Sequence, residues 1–129
     1  TREPDVYGTT TLSDIEESLG KIAESQNCNL ICLQSNAEHE LVDMVHKAKD
    51  EDVKAIVINP GALTHSSIAL RDALSGVDIP FIEIHISNIY ARDEFRHKSF
   101  LSEIAEGVIS GLGVEGYELA IKTVIKKFH

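Results

Sequence analysis

No apolar run in this sequence approaches the roughly 20 residues that a membrane-spanning helix needs, so no membrane partner is expected. Basic charge is scarce as well: 12 Lys and Arg stand against 21 Asp and Glu, a net charge of −9 at pH 7. Nucleic acid demands a basic face to neutralise its phosphates, and the one basic cluster is the short "IKKFH" at the end. The acidity therefore reads as a solvated surface and argues against a nucleic-acid partner. Cysteine is limited to Cys28 and Cys32. As strand residues four positions apart they would lie about 13 Å from each other, too far for a disulfide. They read as small buried hydrophobes in a reducing compartment. The chain opens on the polar "TREPDVYG", not on a basic-then-apolar leader, and the expected location is the cytoplasm. There is no CxxC, HExxH, Walker loop or GxSxG nucleophile elbow, and His39, His46 and His97 lack metal-ligand spacing. Neither a metal nor a cofactor is expected.

What is present fits one domain, residues 1–129, long enough to bury its own core. Leu12, Ile15, Leu19, Ile22 and Ala23 recur at helical spacing, with Thr11 or Ser13 as N-cap and "QN" as a stop. "CNLICLQ" reads as a strand, and "HELVDMVHKAKD" as a helix with Leu41, Val42, Val45 and Ala48 inward. "KAIVI" is a continuous apolar run of the buried parallel kind, followed by the turn-rich "NPGALTHSS" and the helix "SIALRDALSG". "IPFIEIH" is the next strand, "SNIYARDEFRHKS" a polar loop, "EGVISGLG" a last strand and "GYELAIKTVIKKF" a C-terminal helix. This alternation predicts an α/β sheet covered on both faces. The first helix has no strand before it, although crossover helices join parallel strands. The pattern thus begins one element late, with four strands visible.

In an open α/β sheet, ligands bind beyond the carboxyl ends of the strands. Asn59 follows "KAIVI", His65 lies in the next loop, and Glu83 and His85 close "IPFIEIH". Alternation puts Glu83 and His85 on one face and Ile82, Ile84 and Ile86 on the other. A carboxylate beside an imidazole favours the protonated ring and fixes its orientation, which suits a proton donor near neutral pH. A structural ion pair has the same signature. In "NPGALTHSS" Pro60 and Gly61 make a turn and Ser66 or Ser67 can cap the next helix, so turn chemistry explains most of it and leaves His65 over. Near the start, Arg2 stands close to Tyr7, and a guanidinium stabilises a phenolate that is otherwise a poor base. Arg92 and Arg96 can clamp a carboxylate or simply be solvated. Taken alone, these residues support an enzyme or a binder for a small, polar, anionic molecule.

"REPDVYG", "INPGALTHSS", "ALRDAL", "EIHISN" and "ARDEFRHKSF" together, in this order, closely resemble the type II 3-dehydroquinate dehydratases, small flavodoxin-like enzymes of shikimate or quinate metabolism. The resemblance implies a hydro-lyase that eliminates water in the trans sense from 3-dehydroquinate, reversibly, giving 3-dehydroshikimate through an enolate. It implies no metal and no covalent imine. Tyr7 matches the base and Arg2 the residue that raises its basicity; His85 matches the acid and Glu83 its support. Asn59, His65 and Arg96 match residues that bind the substrate's hydroxyls and carboxylate. Ile86 and Ser87 match positions offering backbone N–H groups to that carboxylate. Asp72 matches a carboxylate that reaches a neighbouring subunit's site in dodecamers built from four trimers.

The family's sheet order is 2-1-3-4-5, and its first strand, with an asparagine-bearing "NGPNLNLLG"-like segment, has no counterpart in these letters. That strand is interior. Its loss is expected to leave unpaired backbone groups inside the sheet, each costing about 1–3 kcal/mol. Two other readings share the architecture: a noncatalytic binding or assembly protein, or inactive fragment, of the same fold, and a flavin or phospho-acceptor domain.

Overall fold

Four short runs rich in β-branched residues form one parallel sheet. In this computed structural model, which describes Glu17, Lys21 and residues 29–91 and 98–128, they are β1 (Leu30–Gln34), β2 (Ala55–Asn59), β3 (Phe81–His85) and β4 (Gly107–Ser110), adjacent in that order. Between them run α1 (Glu38–Asp50) and α2 (Ile68–Val77), and α3 (Glu115–Phe128) closes the fold. Of the first expected helix only Glu17 and Lys21 are described; both are helical and form an i,i+4 ion pair at 3.8 Å.

β2 and β3 are buried at every position, as strands covered on both faces must be. Their side chains divide between two cores. Ile56, Ile58 and Phe81 pack with Leu41, Val45 and Ala48 of α1 and Leu70, Leu74 and Val77 of α2. Ala55, Val57, Ile82 and Ile84 pack instead with Tyr117, Ala120, Ile121 and Val124 of α3. Counting in steps of two from Phe81 puts Glu83 and His85 on the α1/α2 face, where the apolar core gives way to polar groups at the strand's end. Cys32 is half-buried against the α3 core, not fully enclosed, and Cys28 lies outside the described residues.

The helix ends follow their charges. α1 opens with Glu38 and Glu40 and closes with Lys47 and Lys49, complementing the helix dipole. Ser67, not Ser66, caps α2 by accepting the Leu70 N–H at 2.9 Å. The same hydroxyl donates to Glu38 at 2.6 Å, tying the start of α2 to the start of α1.

The parallel α/β architecture is as expected, but the open interior slot is not. β1 pairs directly with β2 over its whole length, Leu30 opposite Ala55 through Gln34 opposite Asn59. Backbone groups inside a sheet demand partners, and the facing groups of β1 and β2 find theirs in each other. The register continues without a break through Ile58 opposite Glu83 and His85 opposite Ser110. The carboxyl ends of β2, β3 and β4 therefore lie within one residue of each other, which is what gathers the polar groups described below.

Ile58 sits at 0% exposure between α1 and α2. Ile58→Ala is expected to cost about 2–5 kcal/mol, read as a lower urea midpoint with an unchanged m-value. A loss below about 1 kcal/mol would place this position outside the packed core.

Candidate active site

The site starts where β2 stops. Asn59 is nearly buried, and its side-chain oxygen accepts the Gly61 N–H at 3.1 Å, closing an Asx turn. Gly61 takes φ +56°, a left-handed conformation that a side chain would strain, and Pro60 supplies the preceding bend. The chain then makes a 3-10 turn, Gly61–His65, that delivers Thr64 inward and His65 to the rim. The His65 Nδ1 lies 2.7 Å from the Lys98 carbonyl. A carbonyl only accepts, so Nδ1 carries the proton and Nε2 of the neutral ring is left as an acceptor.

Glu83 is fully enclosed, and four donors converge on its carboxylate. His85 Nε2 lies 2.5 Å from Oε2, Thr64 Oγ1 2.7 Å from Oε2, Ser102 Oγ 2.9 Å from Oε1, and Ser99 Oγ 3.0 Å from both oxygens. Burial pushes this carboxyl up. The hydrogen bonds from His85 and Thr64, the charge of His85 and the bond from Ser102 outweigh it, and Glu83 is held below the usual carboxylate range. An ionised Glu83 can only accept, so the His85 Nε2 donates to it, and Nδ1 is the nitrogen left to exchange a proton with a ligand.

Beyond β3 the backbone is tied back to the loop after β4. Gly111 N donates to the His85 carbonyl at 3.1 Å and Gly113 N to the Ile86 carbonyl at 2.9 Å. In a trans peptide the N–H points opposite to the C=O of the same unit, and no cis peptide is present among the described residues. The N–H groups of Ile86 and Ser87 are thereby aimed away from the glycines. Ser110 braces this segment, accepting the Ile89 N–H at 3.2 Å and donating to the Ser87 carbonyl at 3.3 Å.

These pieces enclose one pocket of about 160 Å3, lined by Asn59, Gly61, Ala62, His65, His85, Ile86, Ser87 and Ile89. Five of the expected site residues thus share it, with Glu83 directly beneath. Asp72 does not: it is exposed on α2, beside Arg71, whose guanidinium bonds the Phe100 carbonyl. Arg2, Tyr7, Arg92 and Arg96 lie outside the described residues. A larger hollow of about 290 Å3 opens at the other end of β3, around Pro80 and Phe81. It holds no histidine and faces the amino ends of the strands, the wrong edge for a ligand site in this architecture.

Sequence reasoning missed Thr64, Ser99 and Ser102, the hydroxyls around Glu83. A signal was available: a carboxylate in a buried strand needs several donors, and the nearby turn segments are rich in Ser and Thr. Among the described residues no cluster of His, Cys, Asp and Glu is arranged to hold a metal ion.

The chain matches the family model of class II dehydroquinases over residues 1–125. A protein named 3-dehydroquinate dehydratase from Polynucleobacter asymbioticus is 58% identical over 127 residues, covering 98% of this chain and 85% of that protein. One of the same name from Marinobacter nauticus is 54% identical over 129 residues, covering 100% of this chain and 88% of that protein. The crystal structure of the type II dehydroquinase from Propionibacterium acnes aligns with a TM-score of 0.78 at 41% identity, covering 98% of this chain and 86% of that one. On this match along nearly its whole length, and with a histidine–glutamate pair opening onto a pocket at the strand ends, the chain belongs to the class II dehydroquinase family.

Proposed function

We propose that this chain removes water from 3-dehydroquinate to give 3-dehydroshikimate, as a single catalytic domain over residues 1–129. The observation that carries the mechanism is the buried Glu83–His85 pair, with one ring nitrogen committed to the carboxylate and the ring at the wall of a polar pocket. Tyr7, as phenolate stabilised by Arg2, takes the proton from the carbon beside the ketone and leaves an enolate. The enolate then expels the hydroxyl, which takes a proton from His85 Nδ1 and departs as water while the conjugated double bond forms. One proton is gained by the phenolate and one lost by the His85 imidazolium, and exchange with solvent resets both.

Binding follows the polarity of the walls. Asn59 and His65 bond the substrate's hydroxyls, with Asn59 held by its turn and His65 held by the Lys98 carbonyl. The Ile86 and Ser87 N–H groups take the carboxylate, supported by the peptide orientation that Gly111 and Gly113 impose. Arg96 adds a charge-assisted contact. Asp72, exposed on α2, reaches the site of a neighbouring copy in a homo-oligomer, a dodecamer of four trimers. A cytoplasmic location, with no metal and no cofactor, completes the reading, which on these points rests on the family resemblance. Among the described residues no helix is long and apolar enough to cross a membrane.

His85→Ala is expected to lower kcat by about 10²- to 10⁴-fold, the span of a lost general acid, followed as ultraviolet absorbance of the enone product. Tyr7→Phe is expected to fall at least as far; unchanged turnover in that variant would remove the assigned base. Substrate binding without any turnover in the wild type would mark a noncatalytic binder instead.

Glu83 also makes stability depend on pH. Its folded pKa is depressed, so its contribution is full above the usual carboxylate range and is lost as pH falls through the lower folded value. Glu83→Gln, which resembles the protonated acid, is expected to be less stable than wild type by about 1–3 kcal/mol at pH 7. Urea midpoints should converge as the pH drops below the carboxylate range; a constant gap would show that the loss is one of shape and not of charge.

A further inference from the structure

The hydroxyls around Glu83 form a directed network, and one residue sets the direction. Ser99 Oγ accepts the backbone N–H of Leu101 at 3.0 Å and of Ser102 at 3.2 Å. A hydroxyl has two lone pairs and one proton. With both lone pairs engaged, Ser99 can only donate, either to Glu83 at 3.0 Å or to Thr64 Oγ1 at 2.5 Å. It cannot accept from Thr64. The Thr64 proton therefore goes to Glu83 Oε2, 2.7 Å away. Ser102 adds a donor to Oε1 but directs no other hydroxyl. The carboxylate is thus left as acceptor throughout, and the ring nitrogen bound to it has to be the donor.

We propose that Ser99 is a positioning residue for the proton donor: through Thr64 and Glu83 it commits the His85 Nε2–H to the carboxylate, so that the Nδ1–H of the imidazolium is the proton given to the substrate. The direction originates in the backbone turn at 99–102, because two peptide N–H groups cannot reverse their polarity as a hydroxyl can. The same segment is joined to the turn bearing His65 by the Phe100 N–H to the Thr64 carbonyl, 2.8 Å, and by the Lys98 carbonyl to His65, 2.7 Å. One short stretch of chain accordingly sets the proton on both histidines of the pocket.

Among the described residues, the ionisable groups around this network are His85 on β3, His65 on the 3-10 turn, Lys98 and Glu103 on the segment before β4, and Arg71 on α2. Of these, His85 alone bonds the Glu83 carboxylate; Arg71 pairs with Glu103 at 3.6 Å and with the Phe100 carbonyl.

The role in catalysis rests on the dehydratase reading, whereas the network does not, and the test separates them. The 13C signal of the Glu83 carboxyl is titrated in the full chain for wild type, Ser99→Ala, Ser99→Thr, Ser102→Ala and Thr64→Val, alongside kcat and KM against pH. Ser99→Ala is expected to move the carboxyl midpoint and the acid limb of kcat to higher pH. At neutral pH it is expected to lower kcat about tenfold with KM within about twofold, the weight of one charge-assisted hydrogen bond. Ser99→Thr restores both, and Ser102→Ala, which removes a donor but no director, has a smaller effect. Thr64→Val, which keeps the side chain's shape, raises the carboxyl midpoint even where Ser99→Ala fails to fold. An unchanged midpoint in Ser99→Ala and Thr64→Val, no restoration by Ser99→Thr, or a larger effect of Ser102→Ala would overturn the proposal. A midpoint that shifts as expected in a chain without turnover upholds the network and sinks only the dehydratase reading.

Discussion

A charge without access to water governs this fold. Glu83 sits in the middle of a sheet, on the face that otherwise holds Phe81, Ile56 and Ile58. Stranding such a carboxylate costs several kcal/mol, so the donors must arrive for the strand to be where it is. They come from elements distant in sequence: Thr64 lies 19 residues before it and Ser99 16 after. Satisfying one side chain thereby docks the turn after β2 and the segment before β4 onto the end of β3. The pocket is the space those two docked pieces enclose, and the proton chemistry proposed for it would use the same contacts that satisfy the buried charge.

Parallel pairing supplies the other half. With β2, β3 and β4 in unbroken register, His85 and Ser110 end at one level and Asn59 within one residue of it. Helices cover both faces of the sheet, so that level edge is where polar groups can gather without burying themselves in a core. The large hollow near Pro80 shows the contrast: volume alone does not make a site at the amino ends of the strands.

Much of this was legible in the letters because burial writes itself as pattern. The apolar runs around Ile58 and Ile84 and the helical spacing of Leu41, Val45 and Ala48 fixed the elements to within a few residues, and the alternation in "EIH" correctly paired Glu83 with His85. What was not legible depended on distance in space. Ser99 and Thr64 are ordinary turn residues until the chain folds 35 positions back on itself. The choice between Ser66 and Ser67 as cap turned on a single backbone bend. The pairing of β1 with β2 was not legible, because an apolar run marks a strand but not its neighbour.

The tethering of the His85 and Ile86 carbonyls to Gly111 and Gly113 has a consequence for how an anion reaches an acidic protein. A surface carrying a net charge of −9 repels a carboxylate at long range, whereas the peptide dipoles proposed above to hold the ligand's carboxylate would act only within a few ångströms. The repulsion is screened by salt and the close attraction is not, because the dipoles act inside the Debye length. On that proposal, ionic strength governs the approach of the ligand and the backbone governs its residence.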